Sequence, residues 1–289
     1  MEFDHSRDVA AGRRFAFGAN WRQFLGAIDE RRIGLAEQSL KQLLCTEDLS
    51  GAGFFDVGSG SGLFSLAARR LGAVVTSFDF DPESVASTLA LRKRYRPDDP
   101  NWTVQTGSIL DAAYLDTLGQ SRVVYSWGVL HHTGSMWAAL GNIDRLVASD
   151  GYLILALYND QGRMSLIWLS IKRFYNKLPQ ALRWLVLGPA LVRLWGPTCV
   201  RDLLLGKPFR SWRNYADDSI RGMSPWHDLI DWVGGLPFEV AKPGDLLEFY
   251  RSRGFELIRL RTCAGGIGCN EYVFRKLAPA DAEGPSHTG

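Results

Sequence analysis

Short apolar runs and longer amphipathic stretches take turns along the middle of the chain. Residues 53–57, 73–79, 102–105, 123–126 and 151–157 read as buried strands, because each apolar run is too short for a helix and ends in turn residues. Between them, a helix is expected from Leu63 to about Leu71, another opens at Pro82, and a third covers 135–147. After a break the rhythm returns with a helix over 243–252 and strands over 255–261 and 271–275. Strands joined through helices imply parallel pairing, so the pattern predicts a doubly wound α/β sheet of seven strands.

The remaining segments divide the chain further. Phe24, Ile28, Leu35 and Leu40 recur at helical spacing within 13–45, so residues 1–50 form an N-terminal helical cap. The α/β core takes 51–160 and 243–277, and 161–242 read as a helical lid inserted after strand five. Residues 278–289 read as a disordered tail. No signal peptide and no membrane-length apolar run is evident, and Cys45, Cys199, Cys263 and Cys269 fit neither a disulfide framework nor a metal site. A cytoplasmic setting follows as the expectation.

The net charge of +2 conceals an asymmetry. Residues 163–213 hold ten basic residues and one acid, about +9, which leaves about −7 for the rest. Trp168, Phe174, Tyr175, Trp184, Trp195, Phe209 and Trp212 lie in the same segment. It reads first as a solvated lid whose long cations cover apolar surface. The second reading is peripheral contact with an anionic membrane, at the inner face; the third, contact with RNA, comes last because no RNA-binding module is visible. Nothing suggests DNA as a partner, and the oligomeric state leaves no mark.

Candidate chemistry begins at Gly58-Ser59-Gly60-Ser61-Gly62, between a strand and a helix. Glycine lets the backbone bend and approach a ligand, and the helix N-terminus offers N–H groups suited to a pyrophosphate or to an amino-acid carboxylate. Asp79 ends the second strand, 19 residues past Gly60, where an acid accepts hydrogen bonds from the ribose hydroxyls of an adenosine cofactor. Phe80 is placed to lie against adenine, whereas Asp81 suits the cap of the following helix. The run Arg14–Trp21 either closes over the cofactor or packs the cap helix on the surface.

Phe55-Asp56-Val57-Gly58-Ser59-Gly60-Ser61-Gly62 resembles the acid-x-Gly-x-Gly-x-Gly motif of class I S-adenosylmethionine-dependent methyltransferases, with serines where the family often has cysteine or threonine. Gly107-Ser108-Ile109 resembles the adenine-side turn after strand three, although many relatives carry Asp at the position of Ser108. Ser126-Trp127-Gly128-Val129-Leu130-His131-His132 resembles the strand-four motif. The resemblance covers about 50–160 and 243–276, and its general plan is nearest to the ubiquinone O-methyltransferase type. It implies a Rossmann-like fold and S-adenosyl-L-methionine bound through Asp56, Gly58, Ser59, Gly60, Gly62, Asp79, Phe80, Ser108, Ile109, Ser126 and Trp127. Some of those enzymes bind a metal through Glu-x-x-Glu-His; here Gly128 and His131 replace both acids, so no metal is carried over.

The implied reaction moves a methyl group to an oxygen, or a nitrogen, of a small-molecule acceptor. A hydroxyl acceptor needs a base, and His132 and His131 stand at the ligand-binding edge of the sheet. Adjacent side chains diverge there, so one of them is expected to act, with His132 ahead. Tyr158, Asn159, Trp226, His227, Asp228 and Asn270 are candidates for the acceptor pocket. Two other functions share the fold: a nicotinamide-dependent oxidoreductase, which the tight glycine spacing disfavours, and a non-catalytic or RNA-directed S-adenosylmethionine-binding protein.

Overall fold

A computed structural model of the chain describes residues 5–215 and 225–278; the expected C-terminal tail, save Ala278, and part of the insertion lie outside them. Three helices open the chain: α1 (His5–Ala10), α2 (Phe17–Leu25) and α3 (Glu30–Leu44). Then come β1 (Gly53–Val57), α4 (Leu63–Arg70), β2 (Val74–Asp79), α5 (Pro82–Tyr95), β3 (Trp102–Thr106), α6 (Ala112–Asp116) and β4 (Ser121–Trp127). A 3-10 turn, Leu130–His132, leads to α7 (Met136–Asp144) and β5 (Val147–Tyr158). The insertion supplies α8 (Arg163–Lys177), α9 (Trp184–Leu204), α10 (Arg210–Arg213) and α11 (Pro225–Gly234), and the core closes with α12 (Pro243–Arg251), β6 (Phe255–Arg261) and β7 (Cys269–Lys276).

The sheet runs in the order β3-β2-β1-β4-β5-β7-β6, parallel except for β7, which is antiparallel to both neighbours. Alternation along each strand sends side chains to two faces. On β1, Phe54 packs beneath α3 and α4 with Val75 and Val123, while Phe55 and Val57 pack on the other face with Leu140, Ile143 and Leu246. Both faces are covered, which explains why the central strands read as apolar runs rather than as alternating ones. The reversal of strand order between β1 and β4 leaves a crevice at the carboxyl ends of these strands, where ligands of doubly wound sheets bind.

Two local readings are corrected. Strand five was expected to begin at Gly151, after a turn. Instead β5 begins at Val147, and Asp150 sits at φ 57° inside a register shift against β4, so the turn chemistry marks an irregularity within the strand. The short helix α6 leaves no periodic signal in the sequence, because five residues are too few. The insertion has its own small core of Trp168, Tyr175, Leu187, Ala190, Leu229 and Val233, against which Phe15 and Trp232 pack.

Candidate active site

The elbow after β1 takes its shape from three glycines, at φ +79° (Gly58), +54° (Gly60) and +78° (Gly62). A Cβ at Gly58 would overlap the methyl groups of Val129, and one at Gly60 would press on the indole of Trp21 at 3.0 Å. Glycine is therefore required by backbone conformation and by space. The N–H groups of Gly58 and Ser59 donate to the Phe78 carbonyl at 2.8 and 3.2 Å, which ties the elbow to β2. At the end of β2, Asp79 accepts from Gly60 N–H through Oδ2 at 3.0 Å and from Asp81 N–H through Oδ1 at 2.9 Å. Asp81 caps α5 by accepting from Glu83 N–H, as the sequence suggested.

A buried carboxylate, Asp56, and a partly buried one, Asp79, flank this elbow. Burial lifts the Asp79 carboxyl from 3.8 to about 6, against the lowering effect of its backbone donors. Asp56 is lifted further, to about 7, again by burial first, with the Ser65 hydroxyl donating to it at 2.5 Å and so opposing the shift. Neither acid has an ion-pair partner among the described residues, so both are poised for a ligand that brings hydrogen-bond donors or positive charge.

A cavity of about 810 Å³ opens from the elbow toward the insertion. Asp56, Gly58, Ser59, Gly60, Asp79, Phe80, Trp127, His131, His132, Tyr158 and Asp228 line it, and all of these were expected at the site. Phe64, Tyr125 and Trp127 form a stacked wall beside the elbow, with centroid distances of 4.8 and 5.8 Å between successive rings.

The N-terminal run lies on this cavity rather than on the outer surface. Arg14, Phe17, Trp21 and Phe24 line it, Gly18 N–H donates to Asp81 at 2.7 Å, and Asn20 donates to Asp231 at 2.7 Å. The Arg14 guanidinium sits 5.1 Å from the Phe80 ring and donates to the His132 carbonyl at 2.9 Å. Burial lowers its pKa.

The two histidines follow β4 on the 3-10 turn, and their hydrogen bonds differ in kind. His132 Nδ1 lies 2.6 Å from the Pro237 carbonyl. A carbonyl can only accept, so Nδ1 carries the proton and Nε2 keeps a lone pair. At His131, Nδ1 accepts from Tyr158 N–H at 3.3 Å, so the neutral ring is protonated at Nε2 instead. His131 is also stacked face to face on Tyr158 at 3.8 Å. Only His132 is held in a tautomer with a basic Nε2, as in sites where a carbonyl or carboxylate orients a general base.

Other candidates are placed elsewhere. The Ser126 hydroxyl donates to the Val57 carbonyl, because strand alternation points it away from Tyr125 and Trp127. Ile109 is packed in the second core cluster, and Ser108 Oγ accepts from Leu110 N–H in its own turn. Gly62 backs onto Thr88 and shapes the elbow from behind. The Asn270 amide donates to Asn159 Oδ1 at 3.0 Å and its Oδ1 accepts from Cys263 N–H, fastening the end of β5 to the turn before β7; neither asparagine lines the cavity. Trp226 is 43% exposed and points elsewhere, and the side chain of His227 lies outside the described residues. Asp231 and Trp232, one helical turn beyond Asp228, complete the α11 wall, and Arg193 and Trp195 of α9 roof it.

The chain matches the family model described as a methyltransferase domain over residues 55–155. It is 30% identical over 181 residues to the ubiquinone biosynthesis O-methyltransferase of Xanthomonas oryzae pv. oryzae strain PXO99A, spanning 60% of this chain and 73% of that protein. Among solved structures it is similar to magnesium protoporphyrin IX methyltransferase from Synechocystis PCC 6803. With bound SAM, that protein aligns at TM-score 0.54 and 12% identity, covering 95% of this chain and 98% of the other. With bound SAH, the TM-score is 0.50 at 13% identity, covering 96% and 89%. At such identities the structures bear on the fold alone.

Proposed function

Since the chain belongs to the S-adenosylmethionine-dependent methyltransferases, we propose that it methylates a hydroxyl of a small-molecule acceptor with His132 as the general base. S-adenosyl-L-methionine is the cofactor, and the acceptor is a small molecule. The relative named above is an O-methyltransferase, and we carry the oxygen acceptor over from it. The nicotinamide and RNA alternatives gain no support from these matches.

The cavity fits the cofactor by its own chemistry. The glycine elbow and the first turn of α4 offer N–H groups to a carboxylate. Asp56 stands near for an ammonium, and Asp79 accepts ribose hydroxyls. Phe80, backed by the Arg14 guanidinium, offers a face to adenine, and Trp21 covers the elbow. When bound, the cofactor supplies an electrophilic methyl on a sulfonium, so the protein has to align a nucleophile and take one proton.

The acceptor lies between the elbow and α11, against Tyr158, Asp228, Asp231 and Trp232. His132 Nε2 receives the hydroxyl proton, while the Pro237 carbonyl holds Nδ1–H and stabilises the ring as it becomes cationic. One observation carries this reading: of the two histidines that line the cavity, His132 is held at Nδ1 by the Pro237 carbonyl, whereas His131 accepts at Nδ1 from Tyr158 N–H. The test is kinetic. His132→Gln is expected to lower kcat by roughly 10²–10⁴-fold and to abolish the acidic limb of the pH profile, while His131→Gln keeps that limb. Equal, small effects from both substitutions would remove the base assignment.

The outer face of the insertion supports peripheral contact with an anionic membrane. Leu166, Phe174, Trp184, Val192, Leu203 and Leu204 are exposed there, up to 82% for Leu204, beside exposed Arg163, Arg173, Lys177, Arg201 and Arg210. No helix among the described residues is long and apolar enough to cross a membrane. Contact through α8–α10 would place the lid at the surface and bring an amphiphilic acceptor to the cavity mouth.

A further inference from the structure

One charged side chain near the site is fully buried and has no part in the mechanism above. Lys172, in the middle of α8, has 0% exposure. No carboxylate forms an ion pair with it among the described residues. Its ammonium donates to the carbonyl of Trp232 and lies 4.6 Å from the ring centroids of both Trp232 and Phe238 and 5.7 Å from that of Tyr158. One turn along α8, the Asn176 amide donates to the Gly234 carbonyl at 2.7 Å. Trp232 and Gly234 belong to the last turn of α11, where carbonyls lack helical partners and the helix dipole favours positive charge. Lys172 and Asn176 therefore cap α11 from the side.

The strap that follows α11 reaches the proposed base. Gly235 N–H donates to the Asp231 carbonyl at 2.8 Å, and a Cβ at Gly235 would press on the His132 ring at 2.8 Å. Next, Phe15 N–H donates to the Leu236 carbonyl, and the Pro237 carbonyl holds His132 Nδ1. Glu239 N–H donates to the His131 carbonyl at 3.0 Å. Two of the three rings around the ammonium, Tyr158 and Trp232, also face the cavity.

We propose that Lys172 is the positioning residue of the acceptor site: its ammonium, clasped by three aromatic rings, caps α11 and thereby fixes the Gly235–Pro237 strap that holds His132. This rests on the assignment of His132 and the α11 wall made above. A role in stability alone fits poorly. Burial pulls the ammonium down to about 7, with Asp231 opposing, so the charged form is costly to keep for stability alone.

The test compares Lys172→Met, Lys172→Ala and the unaltered protein by three readouts that need no acceptor. These are the ¹⁵N tautomer signature of His132, assigned with His132→Gln, amide hydrogen exchange over 225–239, and calorimetry with the demethylated cofactor. The unaltered protein is expected to show one His132 tautomer, protonated at Nδ1. In Lys172→Met that single signature is lost and exchange over 230–239 quickens by at least about tenfold, while the α/β core and the cofactor affinity are unchanged. Ethylammonium should restore the signature in Lys172→Ala, and propanol at the same concentration should not. The proposal is overturned if Lys172→Met keeps the native signature and exchange, if it fails to fold, if its losses spread to the core, or if propanol restores as well as ethylammonium. None of these readouts depends on turnover, so a failure of the methyl-transfer reading would be seen separately, as absence of cofactor heat in the unaltered protein.

Discussion

Asp79→Asn separates binding from stability. In the cofactor-free protein both oxygens of Asp79 accept backbone N–H groups, from Gly60 and Asp81. Burial raises its pKa from 3.8 to about 6, so ionisation at pH 7.5 costs roughly 3 kcal/mol. The amide removes that cost but turns an NH₂ toward one of the two N–H donors, which costs about 1–3 kcal/mol. These effects nearly cancel, so the melting temperature at pH 7.5 should move by no more than a few degrees. Binding behaves differently. Two ribose hydroxyls donating to a carboxylate contribute about 1.5–3 kcal/mol each, and most of that is lost on substitution, which lowers affinity by roughly 10²–10⁴-fold. Calorimetry with the demethylated cofactor, beside thermal melts, reads both quantities. An affinity within about threefold of the unaltered protein, or a loss of affinity matched by a loss of stability, would refute the reasoning.

Other outcomes follow from the same geometry. The raised Asp56 and Asp79 pKa values mean that the native state holds more protons than the unfolded chain between 3.8 and about 7. The stability that these two groups contribute to the cofactor-free protein should therefore be fully present below that window and fall as pH rises through it, read in denaturant titrations as the pH dependence that Asp56→Asn and Asp79→Asn remove; a pH dependence unchanged by both substitutions would contradict the assignment. Gly58→Ala places a Cβ at φ +79° against Val129 and should cost about 2–4 kcal/mol in chemical unfolding, where a loss under about 0.5 kcal/mol would show that the elbow relaxes freely. Binding to anionic vesicles through residues 163–213 should be measurable by co-sedimentation at low salt and fade at high salt, and no sedimentation at low salt would remove the membrane contact.

The sheet and the cofactor elbow were legible because their determinants are local. Strand, glycine turn and helix follow one another from Gly53 to Arg70, and Asp79 ends the next strand. Parity was the first source of error. Ser126 stands between two cavity-facing aromatics on β4, and its alternate direction turns its hydroxyl into the sheet. Asn159 follows the end of β5 and Asn270 lies on β7 beside it, and the Asn270 amide is taken up by Asn159 Oδ1 and the Cys263 N–H. Distance in the chain was the second. The partner that selects between His131 and His132 is the carbonyl of Pro237, 105 residues from His132, and the run from Arg14 to Trp21 reaches the site only through tertiary contacts. Lys172 was hidden by its neighbours, since a lysine in a strongly basic segment reads as one more solvated cation and nothing local marks it as fully buried.

A crystal structure grown with S-adenosylhomocysteine puts the whole arrangement to one test. Density should run from the Gly58–Gly60 backbone to Phe80, with both ribose hydroxyls on Asp79 and with the sulfur on the side of the cavity lined by His132. A ligand seated elsewhere, or a His132 ring turned so that Nδ1 leaves the Pro237 carbonyl, would contradict it.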